Sequence, residues 1–286
     1  MKISVVTPSY NQGRFIERTL DSVSSQEGAD VEHVVFDADS NDGTKEILAS
    51  YRHGIRWVSE RDRGQAHAVN KGIKASDGEI IGWLNSDDVY YPGALARVVD
   101  FFERHPDVDV VYGQADHIDV DDRAFESYPT EPWDLRALQE RCFICQPAAF
   151  VRRSALERYG ILDESLHYCM DYELWLRLGR AGAAFAFLEE KLAGSRLYQE
   201  NKTLGSSVAV HREINGMLRR TIGAVPDQWL VSYAYMVTRD HLDERDHPVW
   251  FSREVSARSL LAAIRWNNAV SRTLMARLFP RWFAAQ

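Results

Sequence analysis

The chain has 286 residues, of which 45% are apolar and 11% aromatic, and its 42 acidic and 34 basic residues give a formal net charge of −8. This length accommodates one large domain or two modest ones with a sizeable core. An acidic chain is a poor match for a nucleic-acid binder, since phosphate neutralisation requires a basic surface. Because the sequence has neither the roughly 20 apolar residues of a membrane span nor a secretion signal, we expect a cytoplasmic protein.

The first hundred residues alternate short apolar runs with helical patterns. Four runs of strand length are rich in β-branched or aromatic residues and cover residues 3–6, 33–36, 55–58 and 80–84. Helices are predicted after Asn11 as an N-cap, over residues 44–51 and over residues 65–75. This alternation predicts an α/β fold with a mostly parallel sheet flanked by helices.

Each of these predicted strands is followed by a polar loop. The four loops are rich in carboxylate, amide or hydroxyl side chains and cover residues 7–11, 37–44, 60–64 and 85–88. A single loop of this kind is ordinary, because Asp and Asn cap the helix that follows. Four in succession indicate a site, since ligands bind beyond the carboxyl ends of the strands in such sheets.

Two adjacent carboxylates stand out in the fourth loop. Asp87 and Asp88 follow an apolar run, so we expect them at the mouth of a central strand. Like charges in such a place repel one another and are costly to desolvate. A divalent cation offsets that cost, and oxygen ligands shared with a diphosphate suit Mg²⁺ or Mn²⁺. The alternative is that Asp87 and Asp88 are loop residues that cap a helix beginning near Pro92.

The order of these motifs resembles the family 2 glycosyltransferases. The matching segments are Thr-Pro-Ser-Tyr-Asn at 7–11, Asp-Ala-Asp-Ser-Asn-Asp-Gly-Thr at 37–44, parts of 60–72, Trp-Leu-Asn-Ser-Asp-Asp at 83–88 and Met-Asp-Tyr-Glu-Leu-Trp at 170–175. The resemblance covers about residues 1–205. It implies a Rossmann-like fold of the GT-A type and an inverting transfer of a sugar from a nucleotide-diphosphate sugar to an acceptor hydroxyl.

The resemblance also implies roles for individual residues. The residues implied to bind the donor are Thr7, Pro8, Tyr10, Asp37, Asp39, Asp62, Asn70, Lys71, Asp88 and Arg196. Asp87 is implied as the ligand of Mg²⁺ or Mn²⁺, with Asn85 in place of the first aspartate of the family's D-x-D motif. Asp171 is implied as the general base that takes the proton of the acceptor hydroxyl.

Two positions depart from the family pattern. His67 stands where related sequences often have Asp, and Tyr198 replaces the histidine of a later Arg-x-His segment. In relatives that histidine can help to hold the metal or the diphosphate. Arg196 and Lys202 remain candidates for binding phosphate oxygens, with a solvated loop as the equal alternative.

Asp171 is preferred to Glu173 as the base. If a helix opens at residue 170, Asp171 lies at its N-terminal edge, where the helix dipole favours a carboxylate. Residues two apart do not share a helix face. Glu173 is then expected to orient a loop or to pair with Arg177, four residues further on.

The three cysteines are too few and too odd in number for a disulfide framework. Cys142 and Cys145 form a C-x-x-C pair, but zinc requires two further ligands at suitable spacing. We therefore expect buried free thiols in a reducing cytoplasm.

The domain organisation follows from where the alternation ends. We assign residues 1–204 to a catalytic domain, with a nucleotide-sugar half at 1–105 and an acceptor half at 106–204, and residues 205–286 to a C-terminal helical region. The segment at 146–153 is expected to line the acceptor side, because it resembles the family segment that precedes the catalytic helix. The helical region is predicted to contain helices at 211–220, 227–240 and 253–278.

The C-terminal tail has its own charge. Residues 255–286 contain five arginines and no acidic residue, so this tail carries +5 and the rest of the chain −13. A basic helix with Leu261 and Ile264 on one side is typical of a segment lying at a membrane surface, here the inner face of the cell membrane. The alternative is a helix that packs on the catalytic domain or joins two copies in a homodimer.

Other function classes are less well supported. A sugar-nucleotide pyrophosphorylase has a Gly-rich basic loop after its first strand, and dehydrogenases and kinases have glycine motifs that are absent there. A non-catalytic module that binds nucleotide sugars is the alternative from another class. The donor base, the sugar and the acceptor, either a carbohydrate or a lipid-linked molecule, are left open, because fold analogy does not fix specificity.

Overall fold

The computed structural model describes residues 1–52, 54–199 and 207–279. Its strands are β1 (Lys2–Ser9), β2 (Asp30–Asp37), β3 (Ile55–Ser59), β4 (Ile80–Trp83), β5 (Val89–Tyr90), β6 (Val110–Ile118), β7 (Ala124–Ser127), β8 (Ala149–Arg152) and β9 (Phe185–Arg196). Its helices are α1 (Ile16–Ser24), α2 (Thr44–Ser50), α3 (Gln65–Ala75), α4 (Ala94–Arg104), α5 (Leu135–Glu140), α6 (Arg153–Tyr159), α7 (Met170–Arg180), α8 (Ser207–Ile222), α9 (Asp227–Arg239), α10 (Pro248–Asn267) and α11 (Arg272–Leu278). A 3-10 turn, Gln146–Ala148, precedes β8.

The strands form one sheet in the order β3-β2-β1-β4-β8-β6-β9-β5, with β7 paired to β6. The first four strands run parallel, and the register pairs Ser9 with Asp37. β8 runs antiparallel to both β4 and β6, while β6 and β9 are parallel. The carboxyl ends of β1 to β4 therefore meet at one edge of the sheet.

Helices cover this sheet because their apolar side chains recur at helical spacing. In α1, Ile16, Leu20 and Val23 are buried along one face. Gly72 allows α3 to lie directly on β1, since a Cβ atom there would come within 2.2 Å of Val6 Cγ1. The predicted strands and the predicted helices of this half are confirmed, and α3 begins and ends where the sequence predicted.

Two details of the sequence prediction were wrong, while the helix predicted near Pro92 does begin there, at Ala94. Asn11 does not cap α1, whose N-cap is Phe15; Asn11 adopts a left-handed φ of 51°, and its Oδ1 accepts a hydrogen bond from Asn41 N. The single helix predicted at 253–278 is two helices, because Asn268 takes a left-handed φ of 56° after α10.

The chain divides into two compact units. The first comprises Met1–Leu135 and Cys142–Tyr198 and contains the whole sheet. The second comprises Arg136–Arg141 with the chain from Gln199 onwards, and in it α9 packs against α8 and α10 through buried side chains such as Leu230 and Ala234. The predicted boundary at residue 204 lies outside the described residues and stays a prediction.

Among the described residues, we find no helix that is both long and apolar enough to cross a bilayer.

Candidate active site

The ends of the first three strands are tied together by hydrogen bonds. Asn11 N donates to Ser40 Oγ over 2.8 Å, which joins the loop after β1 to the loop after β2. Glu60 N donates to Asp37 O over 2.9 Å, which joins the loop after β3 to the same place. The predicted polar loops thus meet at one edge of the sheet.

Asp37 is the most constrained carboxylate of this edge. Its side chain is almost fully buried, and Oδ2 accepts hydrogen bonds from Ser40 N at 3.0 Å and from Ser59 Oγ at 2.6 Å. Ser40 Oγ donates to the other oxygen, Oδ1. These contacts fix the orientation of the carboxylate before any ligand binds.

Two further residues at this edge that are predicted to bind the sugar donor face solvent. Tyr10 is 63% exposed. Asp39 is half-exposed, with a left-handed φ of 60°, and its carboxylate accepts a hydrogen bond from Lys45 Nζ over 3.0 Å, which lowers the pKa of Asp39. Tyr10 and Asp39 are therefore open to a ligand at the same edge as Asp37.

Thr7 and Asn70, also predicted to bind the donor, point into the protein. Thr7 is fully buried and its Oγ1 lies 2.9 Å from His33 Nε2. Asn70 donates to Leu162 O at 2.9 Å and to Glu164 Oε1 at 3.0 Å, and its Oδ1 accepts from Leu162 N. Both side chains are bonded to other protein groups beneath the edge of the sheet. Their direct contact with the sugar donor stays a prediction.

The remaining predicted residues of this part lie in β1, in the loop before α3 and in α3 itself. Asp62 Oδ1 accepts a hydrogen bond from Gly64 N over 2.8 Å, which shapes the turn into the helix. Lys71 Nζ forms an ion pair with Glu60 Oε1 at 2.8 Å. Pro8 is buried within β1. Their contact with a donor likewise stays a prediction.

Asn85 is the centre of a hydrogen-bond network at the end of β4. Its Oδ1 accepts from Gln65 Nε2 at 2.7 Å and from Trp83 Nε1 at 2.8 Å. Its Nδ2 donates to Asp88 Oδ2 at 3.1 Å and to Gln146 Oε1 at 2.9 Å. The side-chain amide therefore uses all its donors and acceptors, which a carboxylate at the same position is unable to do.

Asp88 is buried within this network. Its Oδ1 accepts a hydrogen bond from Arg196 N over 2.8 Å, and its Oδ2 accepts the one from Asn85. Burial and the neighbouring charge of Asp87 raise the pKa of Asp88 well above its usual range. Asp88 thus anchors the end of β9 to the end of β4.

Asp87 presents its carboxylate more openly. Tyr198 Oη donates to Asp87 Oδ2 over 3.0 Å, and Gln12 Nε2 donates to Tyr198 Oη over 3.2 Å. Burial raises the pKa of Tyr198, so the phenol keeps its proton and acts as a donor to Asp87. Burial also raises the pKa of Asp87, which favours a cation at this carboxylate.

The residues around Asp87 fit a metal held jointly with a diphosphate. Within the part of the chain that the structure describes, no group of three or more His, Cys, Asp or Glu side chains forms a metal cage. Mg²⁺ in nucleotide sites commonly takes one or two carboxylates and completes its shell with water and substrate phosphates. Asp87, with one oxygen not bonded to Tyr198, matches that donor set.

Arg196, predicted to bind phosphate, has its side chain enclosed in the protein. Its Nε donates to Asp87 O over 2.6 Å, and its terminal nitrogens donate to Asp119 O and to Asp122 Oδ1. The guanidinium carbon also lies 4.8 Å from the centre of the Phe15 ring. The alternative of a solvated loop is therefore wrong for Arg196, while its phosphate contact stays a prediction; Lys202 lies outside the described residues.

The acidic segment 170–175 forms the start of α7, as predicted. Asp171 lies in the first helical turn, where the helix dipole favours a carboxylate. Glu173 pairs with Arg177 through hydrogen bonds of 2.8 Å and 3.0 Å, so the predicted pairing is confirmed. Arg177 also donates to Ile161 O at 2.8 Å, which ties α7 to the loop before it.

The cysteines of the C-x-x-C pair, Cys142 and Cys145, are free thiols, as the sequence predicted. Cys145 is buried, but the predicted burial is wrong for Cys142, which is partly exposed. Burial raises the pKa of Cys145, and the charges of Asp88 and Asp171 raise it further. Burial and the charge of Asp171 likewise raise the pKa of Cys142. Both thiols therefore stay protonated at neutral pH.

Several residues of this site were not among the predicted site residues. They are Gln12 and Tyr198 beside Asp87, and Gln65, Trp83 and Gln146 beside Asn85. The motif segments contained Gln65, Trp83 and Gln146, but sequence spacing gave no sign that they bond to one side chain. The signal that the sequence did offer was Asn85, an amide in place of the family's first aspartate, which indicates a position that both donates and accepts hydrogen bonds.

Comparison with known proteins places the sequence among sugar-transferring enzymes. It matches the family described as glycosyl transferase family 2 over residues 4–160. An uncharacterised glycosyltransferase of Nostoc sp. is 32% identical over 235 residues, which are 74% of this chain and 70% of the relative. An uncharacterised glycosyltransferase of Rickettsia prowazekii is 28% identical over 214 residues, which are 70% of this chain but only 65% of the relative.

Two solved structures share the fold at 20% sequence identity. The structure of S. aureus TarS 1-349 in complex with UDP-GlcNAc matches with a TM-score of 0.64 over 96% of this chain and 83% of that chain. The mannosyltransferase PcManGT from Pyrobaculum calidifontis, in complex with GDP-Man and Mn²⁺, matches with a TM-score of 0.59 over 98% of this chain and 79% of that chain. These matches confirm the predicted α/β fold of the GT-A type.

Proposed function

Since the chain belongs to glycosyltransferase family 2, we propose that it transfers a sugar from a nucleotide-diphosphate sugar to an acceptor hydroxyl, with inversion at the anomeric carbon. The acceptor is a carbohydrate or a lipid-linked molecule, and the product belongs to a polysaccharide or glycoconjugate. Structures of the same fold with UDP-GlcNAc and with GDP-Man support the class of donor. We take residues 1–204 as the catalytic domain.

The nucleoside end of the donor lies at the ends of β1 to β3 in this proposal. Asp37 offers an oriented carboxylate to hydroxyl or N–H donors of the ligand, and the exposed ring of Tyr10 offers a stacking surface. Asp39 and Asp62 lie on neighbouring loops. The diphosphate then extends towards Asp87 at the end of β4.

Asp87 is the residue that would hold Mg²⁺ or Mn²⁺ in this proposal, together with the donor diphosphate. The bound metal would neutralise the diphosphate and so make it a better leaving group. Tyr198 holds Oδ2 of Asp87 and thereby orients the carboxylate. Asp88 and Asn85 position the backbone on either side of Asp87.

Asp171 is the proposed general base. The acceptor oxygen forms a bond to the anomeric carbon from the face opposite the diphosphate, and the bond from that carbon to the diphosphate oxygen breaks. The acceptor proton passes to the carboxylate of Asp171 as the new bond forms. A single displacement of this kind requires no covalent enzyme intermediate and inverts the anomeric carbon.

One observation carries this assignment: α3 is hydrogen-bonded at its start to the end of β4, through Gln65 Nε2 and Asn85 Oδ1, and further along to the loop before α7, through Asn70 Nδ2 and Leu162 O. Helix α3 therefore ties the end of β4 to the segment that leads into α7. That arrangement supports a donor at the end of β4 and a base at the start of α7.

The donor side is tested by calorimetry with Asp87→Ala. We expect UDP or GDP to bind the native chain more tightly with Mn²⁺ than without it, and the variant to lose this difference. Asp121→Ala is the matched control, because Asp121 is an exposed aspartate with a side chain that is 63% accessible. An unchanged Mn²⁺ effect in Asp87→Ala would contradict the metal assignment.

A further inference from the structure

Helix α10 has apolar side chains on two faces. One face packs inside the second compact unit, the helical unit, where Phe251, Ala262 and Ala263 are at most 3% exposed. The other face is open, with Trp250 and Leu261 each 66% exposed and Ile264 55% exposed. Large apolar side chains that cluster in the open on one face mark an interaction surface.

The open side chains form a continuous stripe along α10. Trp250, Ala257, Leu261 and Ile264 follow one another at intervals of seven, four and three residues. At 3.6 residues per turn these intervals return to the same face of the helix, and the stripe is about 21 Å long. It therefore extends over most of the helix.

Positive charge borders the stripe on both sides. Arg253 and Arg265 lie one turn or less from the stripe residues on opposite edges. Each guanidinium lies near a tryptophan ring, Arg253 at 5.5 Å from Trp250 and Arg265 at 5.4 Å from Trp266. Within residues 1–52, 54–199 and 207–279, neither of the two forms a salt bridge.

The acidic residue at the edge of the stripe does not offset this charge. Glu254 pairs with Arg258, whose Nη2 lies 2.7 Å from Glu254 Oε1. The stripe is thus apolar along its centre and cationic along its edges. An anionic lipid surface has the matching chemistry, because acyl chains receive the apolar centre and lipid phosphates pair with the guanidinium groups.

We propose that this stripe of α10 docks on an anionic lipid bilayer, with the helix axis in the plane of the membrane surface. Trp250 and Leu261 enter the boundary between headgroups and acyl chains, and Arg253 and Arg265 bind lipid phosphates. A second copy of the chain fits this surface less well, since a two-fold interface through the same stripe places arginines opposite arginines. The proposal is independent of the sugar transfer proposed above.

Vesicle flotation of the full chain tests this proposal. We expect the native chain to float with vesicles of phosphatidylcholine and phosphatidylglycerol and to float far less with phosphatidylcholine alone. Each arginine near an anionic surface contributes about a fivefold gain in partitioning, so Arg253→Ala with Arg265→Ala is expected to reduce binding about 25-fold. Leu261→Ser with Ile264→Ser is expected to reduce binding about tenfold or more.

A matched control carries equivalent changes elsewhere. Arg123→Ala with Phe125→Ser removes an exposed arginine and a 58% exposed aromatic side chain from the first unit, and it is expected to float like the native chain. The proposal is overturned if the native chain does not float, or if both stripe variants float as it does. It is also overturned if Leu261→Ser with Ile264→Ser converts a dimer to a monomer in sedimentation velocity, which assigns the stripe to a second copy.

Discussion

Asn85 Nδ2 donates a hydrogen bond to Asp88 Oδ2 over 3.1 Å, so an amide supports a buried carboxylate at the end of β4. The same amide also binds Gln65, Trp83 and Gln146. The asparagine thus links the start of α3, the end of β4 and the turn before β8. An ionised aspartate at this position has no hydrogen to offer and adds a third carboxyl group beside Asp87 and Asp88.

We therefore predict that Asn85→Asp, although it restores a D-x-D motif, destabilises the protein. The added carboxylate faces Asp88 and the carbonyl oxygen of Gln146, and a charge left unpaired inside a protein costs about 3 kcal/mol. Urea unfolding at pH 7.5 measures the loss. It is expected to shrink as the pH is lowered, because protonation of the carboxyl group restores a donor.

The control for this change is Asn41→Asp, which adds the same charge at an exposed position. We expect it to alter the free energy of unfolding by no more than about 0.5 kcal/mol. A stable Asn85→Asp variant with tighter Mn²⁺ binding would show that position 85 is a metal ligand after all.

A second prediction concerns the phenol beside Asp87. Tyr198→Phe removes the hydrogen bond that orients Asp87 Oδ2 and leaves Gln12 Nε2 without that acceptor. Because hydrogen bonds to charged groups contribute about 1.5–3 kcal/mol, we expect nucleotide affinity in Mn²⁺ to fall about tenfold or more, with little change when Mn²⁺ is absent. Calorimetry with and without Mn²⁺ measures both values.

Tyr235→Phe is the matched control for Tyr198→Phe. It removes a phenol that donates to Glu244 Oε2 over 2.8 Å in the helical unit, and nucleotide affinity is expected to stay at the native value. If Tyr198→Phe also leaves the Mn²⁺ effect unchanged, Tyr198 has no part in orienting Asp87.

The sequence predicted the sheet half of the fold well because its signals are local. β1 is buried on both faces and has Ile, Val and Val at positions 3, 5 and 6, and the spacing of Ile16, Leu20 and Val23 is that of a helix face. The break at Asn268 was missed because its left-handed backbone lies inside a helical pattern that is otherwise continuous. A single residue with positive φ leaves no periodic signal.

The part of the site that was predicted also depends on local signals in the sequence. Strand ends reveal that polar groups converge, and so the loops holding Asp37 and Asp87 were identified. The enclosure of Arg196 depends on Asp119 and Asp122, which are more than 70 residues away in sequence. Contacts at such separation follow from the fold and are invisible in local spacing.

A third prediction concerns pH and the histidine behind Thr7. Burial lowers the pKa of His33 from 6.5 to about 3. Below pH 6.5 the unfolded chain binds a proton at His33 that the folded chain does not bind, so stability falls as the pH falls through the window from 6.5 to 3. The expected slope from this group is about 1.4 kcal/mol per pH unit.

Urea unfolding of the native chain and of His33→Gln, at pH 7.5 and pH 5.5, measures this contribution. Glutamine does not titrate, and its amide is able to donate to Thr7 Oγ1. We expect the native chain to lose about 1.4 kcal/mol more than the variant between the two pH values. Equal losses for the two chains would assign the pH dependence to other groups.

The central claim is that Asp171 takes the acceptor proton, and single-turnover sugar transfer by Asp171→Asn tests it most directly. Glu173→Gln is the control, because Glu173 lies in the same helical turn but is bound to Arg177. We predict that Asp171→Asn transfers about 10²- to 10⁴-fold more slowly with unchanged donor affinity, and that Glu173→Gln stays within about tenfold of the native rate. A near-native rate for Asp171→Asn would contradict the account.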